Sequence, residues 1–131
     1  MFKRVKNIAS LKPRDKFVLY GISDTGSSVV EVYYEMMGKG DYRNSYRVRK
    51  LNAKGKYVYN GWFGGIKTGE IRTGMYDDNA LCCDMETYYS RLYTDPKKPC
   101  EKMIQRLIKK KQNINKQILN YQKMMYKTDD V

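Results

Sequence analysis

The sequence contains no histidine, which removes the side chain that most often acts as a catalytic acid or base near neutral pH. A cysteine nucleophile would also lack its usual imidazole partner. Asp84 and Glu86 flank Met85, and a helix would turn the two carboxylates to different faces. We therefore expect a protein that is not an enzyme and that needs no cofactor.

Cysteine is scarce as well, with Cys82, Cys83 and Cys100 as the three copies. An odd number that includes an adjacent pair is not typical of a disulfide framework, so a reducing compartment is favoured. Structural zinc sites usually use four cysteine or histidine ligands, and only three candidates exist here. We expect no metal site.

Long apolar runs are missing. The N-terminus has charges but not the apolar run of a secretory signal, and no stretch approaches the length of a membrane span. We expect a cytoplasmic protein without membrane contact. Glycine-rich phosphate loops are missing too, since neither the Walker pattern nor G-x-G-x-x-G occurs.

Positive charge is abundant. The chain of 131 residues has 26 lysine and arginine residues against 14 acidic ones, a net charge of +12. Such an excess favours an anionic partner such as nucleic acid or a nucleotide, whereas the plainer interpretation is that lysine maintains solubility. Tyrosine is also frequent, with 13 copies, and suits half-exposed contact surfaces.

Apolar and polar residues alternate through the first half of the chain, between short turn clusters. This pattern predicts an antiparallel five-stranded sheet or a small SH3-like barrel in an α+β fold. The predicted strands cover residues 16–22, 29–37, 42–51, 56–60 and 66–72. The predicted divisions are a basic arm at 1–15, a β-rich domain at 16–74, a helix on the sheet at 75–95 and a long helix at 96–131.

The period changes after Gly74. Leu81, Met85, Tyr88 and Leu92 recur at steps of four, three and four, which predicts a short acidic helix that runs to about Tyr93. Asp77, Asp78 or Asn79 would cap its first turn.

A long basic helix is predicted from Pro99 to about Tyr126, roughly 40 Å in length. Its seam, the line of residues at heptad spacing along one face, comprises Cys100, Ile104, Leu107, Lys111, Ile114, Ile118, Tyr121 and Met125. Short strands of about 17–20 Å cannot cover this length, so part of the seam needs another partner. Self-association is the favoured interpretation, ahead of packing on the protein's own sheet and of a different protein partner. Lys111 would cost stability but fix the register.

Three arginines are predicted on one face of strand 42–51: Arg43, Arg47 and Arg49. Arginine forks bind phosphates, and Tyr57 and Tyr59 on the next strand would stack on bases. The alternative is a solvent-facing strand whose charges block edge pairing. On the long helix, the lysines proposed to contact phosphates are Lys109, Lys110 and Lys116, against the alternative of a plain solvated face.

The only tryptophan lies in the loop Gly61-Trp62-Phe63-Gly64-Gly65. Asn60-Gly61 predicts a turn between strands. Trp62 then either closes one end of the core or points outward to stack on a ligand.

These features together favour a non-enzymatic binding protein for nucleic acid that oligomerises through its long helix. The alternative is a small inhibitor or accessory protein, of viral counter-defence type, that binds a host protein or sequesters a nucleotide. A structural subunit of a larger assembly is a third interpretation.

Overall fold

The structure, a computed structural model, describes residues 1–23, 28–61, 64–86 and 91–127. Its strands are β1 (Lys3–Arg4), β2 (Lys16–Ile22), β3 (Val29–Lys39), β4 (Ser45–Leu51), β5 (Thr68–Arg72), β6 (Cys82–Cys83) and β7 (Arg91–Tyr93). A short 3₁₀ turn covers Ile8–Ser10, and the helix α1 covers Lys97–Lys127. The predicted α+β class is therefore confirmed.

The sheet has the order β1-β2-β3-β4-β5-β6, with β7 also paired to β2. Neighbouring strands are antiparallel except β1, which is parallel to β2. The sheet has more strands than the predicted five and is not closed, so the small-barrel alternative is wrong. The added strands β1, β6 and β7 have only two or three residues, too few to show an alternating pattern.

The hairpin predicted from residues 16–22 and 29–37 is confirmed as β2 and β3. Phe17 pairs with Tyr34 and Leu19 with Val32, so their side chains enter the core from one face. Glu35 lies on the opposite face.

Strand β4 begins at Ser45, later than the predicted start at residue 42. Asn44 has a φ of 60°, and the Ser45 hydroxyl donates to the Tyr42 carbonyl at 2.6 Å. These contacts make residues 42–44 a turn rather than strand. The predicted strand 56–60 is present only as isolated bridges, Leu51 with Tyr57 and Tyr59 with Ile66.

The predicted short acidic helix is wrong, because β6 and β7 occupy that segment. Leu81, Cys83 and Met85 are buried alternately, which is the period of a strand. Leu81 and Met85 are four residues apart, a spacing that fits both periods. Tyr88, which belonged to the predicted stripe, lies outside the described residues.

The long helix is confirmed, since α1 spans 31 residues, about 46 Å at the standard rise. Its first turns dock on the body, where Pro99 is buried and Met103 packs against a small cluster of Ile22, Ala80 and Tyr93. Every residue from Ile104 to Lys127 is exposed. The helix therefore extends well beyond the sheet that holds its base.

Candidate nucleic-acid interface

Arg49 is engaged by a buried acid on the neighbouring strand. The β3–β4 register puts Arg49 directly opposite Glu35, which is only 5% exposed. Arg49 Nη1 lies 3.1 Å from Glu35 Oε1, and the Tyr57 hydroxyl donates to the same oxygen at 2.9 Å. This contact raises the pKa of the Arg49 guanidinium. Arg49 thus neutralises the charge of a buried carboxylate, and Arg49 and Tyr57 together provide its hydrogen-bond partners. Any contact with a ligand would be an additional role.

Arg43 and Arg47 are more accessible than Arg49. Arg47 is on β4 and pairs with Asp41 at 3.1 Å in an exposed ion pair. Arg43 is exposed in the turn before β4. The three predicted arginines therefore do not form one strand face, because the strand begins after Arg43.

The predicted stacking residues differ in their setting. Tyr59 is exposed beside a loop that the Asn60 N–H closes on the Gly65 carbonyl at 2.8 Å. This hydrogen bond and the turn at Gly61 agree with the turn predicted at Asn60-Gly61. Trp62 lies outside the described residues, so its predicted role stays a prediction.

The predicted lysine contacts lie on the exposed part of α1. Lys109, Lys110 and Lys116 are all exposed. Within the described residues, no acidic side chain forms an ion pair with any of them. A lysine stripe, defined by Lys102, Lys109, Lys116 and Lys123, recurs every seven residues along the helix. Seven residues are almost two full turns, so these ammonium groups lie nearly in line.

Asp78 anchors the base of the helix to the body. Its Oδ2 accepts hydrogen bonds from Lys102 Nζ at 2.6 Å and from the Tyr93 hydroxyl at 2.9 Å. Lys98 Nζ donates to the Asp78 carbonyl oxygen at 2.9 Å. The Lys102 contact, more than any other, holds the pKa of Asp78 well below its usual value, and the same contact raises the pKa of Lys102. The sequence predicts only a helix cap for Asp78, because contacts across 15 to 24 residues leave no local signal.

A second group of polar side chains surrounds the carboxylate of Glu86. The Tyr34 hydroxyl donates to Glu86 Oε1 at 2.8 Å, and Lys50 pairs with the same carboxylate oxygen. Burial raises the pKa of the Tyr34 hydroxyl and raises that of the nearby Cys83 thiol to about 11. A thiol with so high a pKa is a poor nucleophile at neutral pH. This arrangement suits packing rather than reaction.

The described residues contain neither a metal-ligand cluster nor a membrane-crossing helix. No group of three or more cysteine or acidic side chains there is arranged to hold a metal ion. Among the same residues, no helix combines the length and the apolar character needed to span a bilayer.

A cleft of about 690 Å³ lies beside the first turn of α1. Both charge signs line it, since Lys6, Lys97 and Lys98 face Asp95 and Glu101. The Asp95 carboxylate already accepts the Lys97 N–H at 2.8 Å and so caps the helix. Because side chains of both charges line the cleft, it does not favour an anionic ligand.

Comparison of the chain with protein-family models, with curated proteins and with solved structures found no match.

Proposed function

We propose that this protein is a non-enzymatic nucleic-acid-binding protein whose main electrostatic contact is the exposed part of α1. The observation that carries the proposal is the sign and position of the helix charges. From residue 102 to residue 127 the sequence has no acidic residue. Its basic residues there are Lys102, Arg106, Lys109, Lys110, Lys111, Lys116, Lys123 and Lys127.

The lysine stripe supports contact with a phosphate backbone rather than with a small anion. Successive members of the stripe are about 10 Å apart along the helix, since each residue adds about 1.5 Å. Duplex DNA carries one negative charge per ~1.7 Å of axis, so a rod of lysines meets phosphates wherever it lies. Lysine acts as a point charge without a fixed geometry, and we therefore expect little sequence preference.

The sheet side would supply secondary contacts in this proposal. Arg43 and Arg47 are accessible for phosphates, and Tyr59 is 58% exposed and available for stacking on a base. Arg49 and Tyr57 would contribute to this surface indirectly, because their contacts with Glu35 stabilise the strands that carry it.

The proposal is tested by fluorescence anisotropy with labelled single-stranded and duplex DNA and RNA of defined length. Binding through roughly four phosphates should weaken on the order of a thousandfold or more between 50 and 500 mM salt, because bound counterions are released on binding. Affinity that stays unchanged over this range would contradict the phosphate model.

A matched pair of variants separates the helix from net charge. Lys109→Gln/Lys116→Gln and Lys12→Gln/Lys54→Gln each remove two positive charges from exposed lysines. We expect the helix variant to bind at least about tenfold more weakly and to lower the salt slope by about two, whereas the body variant binds nearly as well as wild type. Equal losses from both variants would count against α1 as the binding element.

A further inference from the structure

The apolar seam of α1 is exposed along the part of the helix that leaves the body. Ile104, Leu107, Ile114, Ile118 and Tyr121 are between 50% and 69% exposed. They occupy alternating steps of three and four residues, which keep them on one face of the helix. An exposed apolar line of this length is the signature of an interface rather than of a solvated surface.

The body does not cover the seam, because every residue of α1 from Ile104 to Lys127 is exposed. Pro99, Lys102 and Met103 contact the body. At 100° per residue, the centre of this docking side is about a quarter of a turn away from the seam. A second helix can therefore lie along the seam from Ile104 onward beside the body.

The charges of α1 indicate what kind of helix fits the seam. In a pair of helices, the positions beside the seam of one helix lie next to those of the other. Where two helices select each other by charge, these flanking positions carry the complementary charges. Here most flanking positions are uncharged. The uncharged ones are Met103, Ile108, Asn115, Gln117, Gln122 and Met124. The two charged ones are Lys110 and Glu101. The lysine stripe runs along the side opposite the seam, so it neither repels a like helix at close range nor selects an acidic one.

We propose that the seam binds the seam of a second copy of this chain, and that the two helices run antiparallel. In this arrangement Leu107 meets Ile118 of the second copy, and Ile104 meets Tyr121. Lys111 then faces Ile114 of the second copy, so its aliphatic stem packs while its ammonium group reaches water. A parallel, in-register pair would instead bring Lys111 against Lys111 in the middle of the interface. The antiparallel pair avoids this contact between like charges.

Self-pairing leaves the lysine stripe facing outward on both helices. The pair is held by apolar contacts and therefore does not require a nucleic acid. Its formation and the proposed nucleic-acid binding can accordingly be measured apart, because added salt screens the repulsion between two basic helices but weakens phosphate contacts.

The oligomeric state of the full chain tests the proposal, with sedimentation equilibrium at 500 mM salt and no nucleic acid. We expect a dimer in which Ile114→Gln raises the dissociation constant by about tenfold or more. Leu119→Gln is the matched control: Leu119 is 51% exposed and Ile114 54%, but Leu119 lies off the seam. A monomer at about 100 µM chain, well above typical working concentrations, would overturn the proposal. A Leu119→Gln defect as large as that of Ile114→Gln would also overturn it.

Disulfide trapping tests the orientation. The antiparallel arrangement brings Cys100 beside Met125 of the second copy. Under mild oxidation, the Met125→Cys variant should therefore form a cross-link between Cys100 of one copy and the introduced thiol of the other, located by peptide mapping. Wild-type protein is the control and should not cross-link through Cys100. A cross-link that joins Cys100 of one copy to Cys100 of the other, in either protein, would overturn the antiparallel arrangement.

Discussion

Glu35 shows at the scale of single residues why a basic side chain cannot be read as a ligand contact from its position alone. This carboxylate is almost fully buried, so it needs partners within the protein. Arg49 and Tyr57 provide them. Arg47, two residues earlier on the same strand face, forms an exposed ion pair with Asp41. The same strand thus holds one arginine that maintains the fold and one that is accessible.

Substitution of these two arginines should separate the roles. Arg49→Leu should lower the free energy of unfolding by about 1–3 kcal/mol, because Glu35 would lose its charged partner while still buried. Arg47→Leu should change it by about 0.5 kcal/mol or less, since exposed ion pairs contribute little. Urea denaturation followed by circular dichroism at pH 7 measures both. Equal effects would mean that the Glu35 contact is not a structural requirement.

Lys102 and Lys109 offer a second comparison, because they occupy equivalent positions one heptad apart. Lys102→Met removes the contact with Asp78, whereas Lys109→Met removes a lysine with no ion-pair partner in the described structure. We expect Lys102→Met to lower the unfolding free energy by about 1 kcal/mol or less, since the pair is partly exposed and screened. Lys109→Met should leave it unchanged in thermal melts. A larger loss from Lys109→Met would contradict the anchoring role of Lys102.

The contact between Asp78 and Lys102 at the base of α1 should be sensitive to acid. Its pKa is lowered in the folded protein, so its carboxylate contributes stability that is fully present well above the unfolded-state value of 3.8. That contribution is lost as the pH falls from 3.8 towards the lower folded-state pKa. Wild type should therefore be more stable than Asp78→Asn at pH 7, and the difference in melting temperature should shrink below about pH 4. Asp77→Asn, at the exposed neighbouring position, is the matched control for the loss of one carboxylate.

At the scale of secondary-structure elements, the length of each element determined whether its prediction was confirmed. The hairpin of β2 and β3 and the helix α1 are long enough for their periods to be unambiguous. The segment around Leu81 is not, because a spacing of four residues fits both a helix and a strand. Its true state follows from pairing, since Ile71 on β5 pairs with Cys83. That contact joins residues far apart in the sequence, and no local pattern contains it.

The exposed part of α1 should be the least stable long element of the protein when the chain is dilute. An isolated helix in water is marginal, and this one has no packing of its own body against residues 104–127. If the seam pairs with a second copy, amide hydrogen exchange along residues 106–124 should slow as the chain is raised from about 1 to about 100 µM.

The internal control for this measurement is β2 and β3, whose exchange should not depend on concentration. Ile114→Gln should abolish the concentration dependence in the helix. Exchange in the helix that is slow at every concentration would show that it needs no partner.

At the scale of the whole molecule, charge is distributed unevenly. Residues 97–127 carry a net charge of +9 out of the total of +12. At the base of α1, Asp78 of the body forms an ion pair with Lys102. The exposed part of α1 therefore combines two surfaces that associate through different forces, the apolar seam and the charged lysine stripe. Salt should strengthen association through the first and weaken binding through the second.

The sequence by itself determined the α+β class, the central hairpin, the long helix and its two-sided character, because all of these follow from periodicity within one segment. Only the tertiary structure decided three other features. The short strands β1, β6 and β7 exist because distant segments supply their pairing. Arg49 is committed to Glu35 because the β3–β4 register aligns them. The seam of α1 is exposed because the helix docks on the body through its first turns, at Pro99, Lys102 and Met103, and extends beyond the sheet from Ile104 onward.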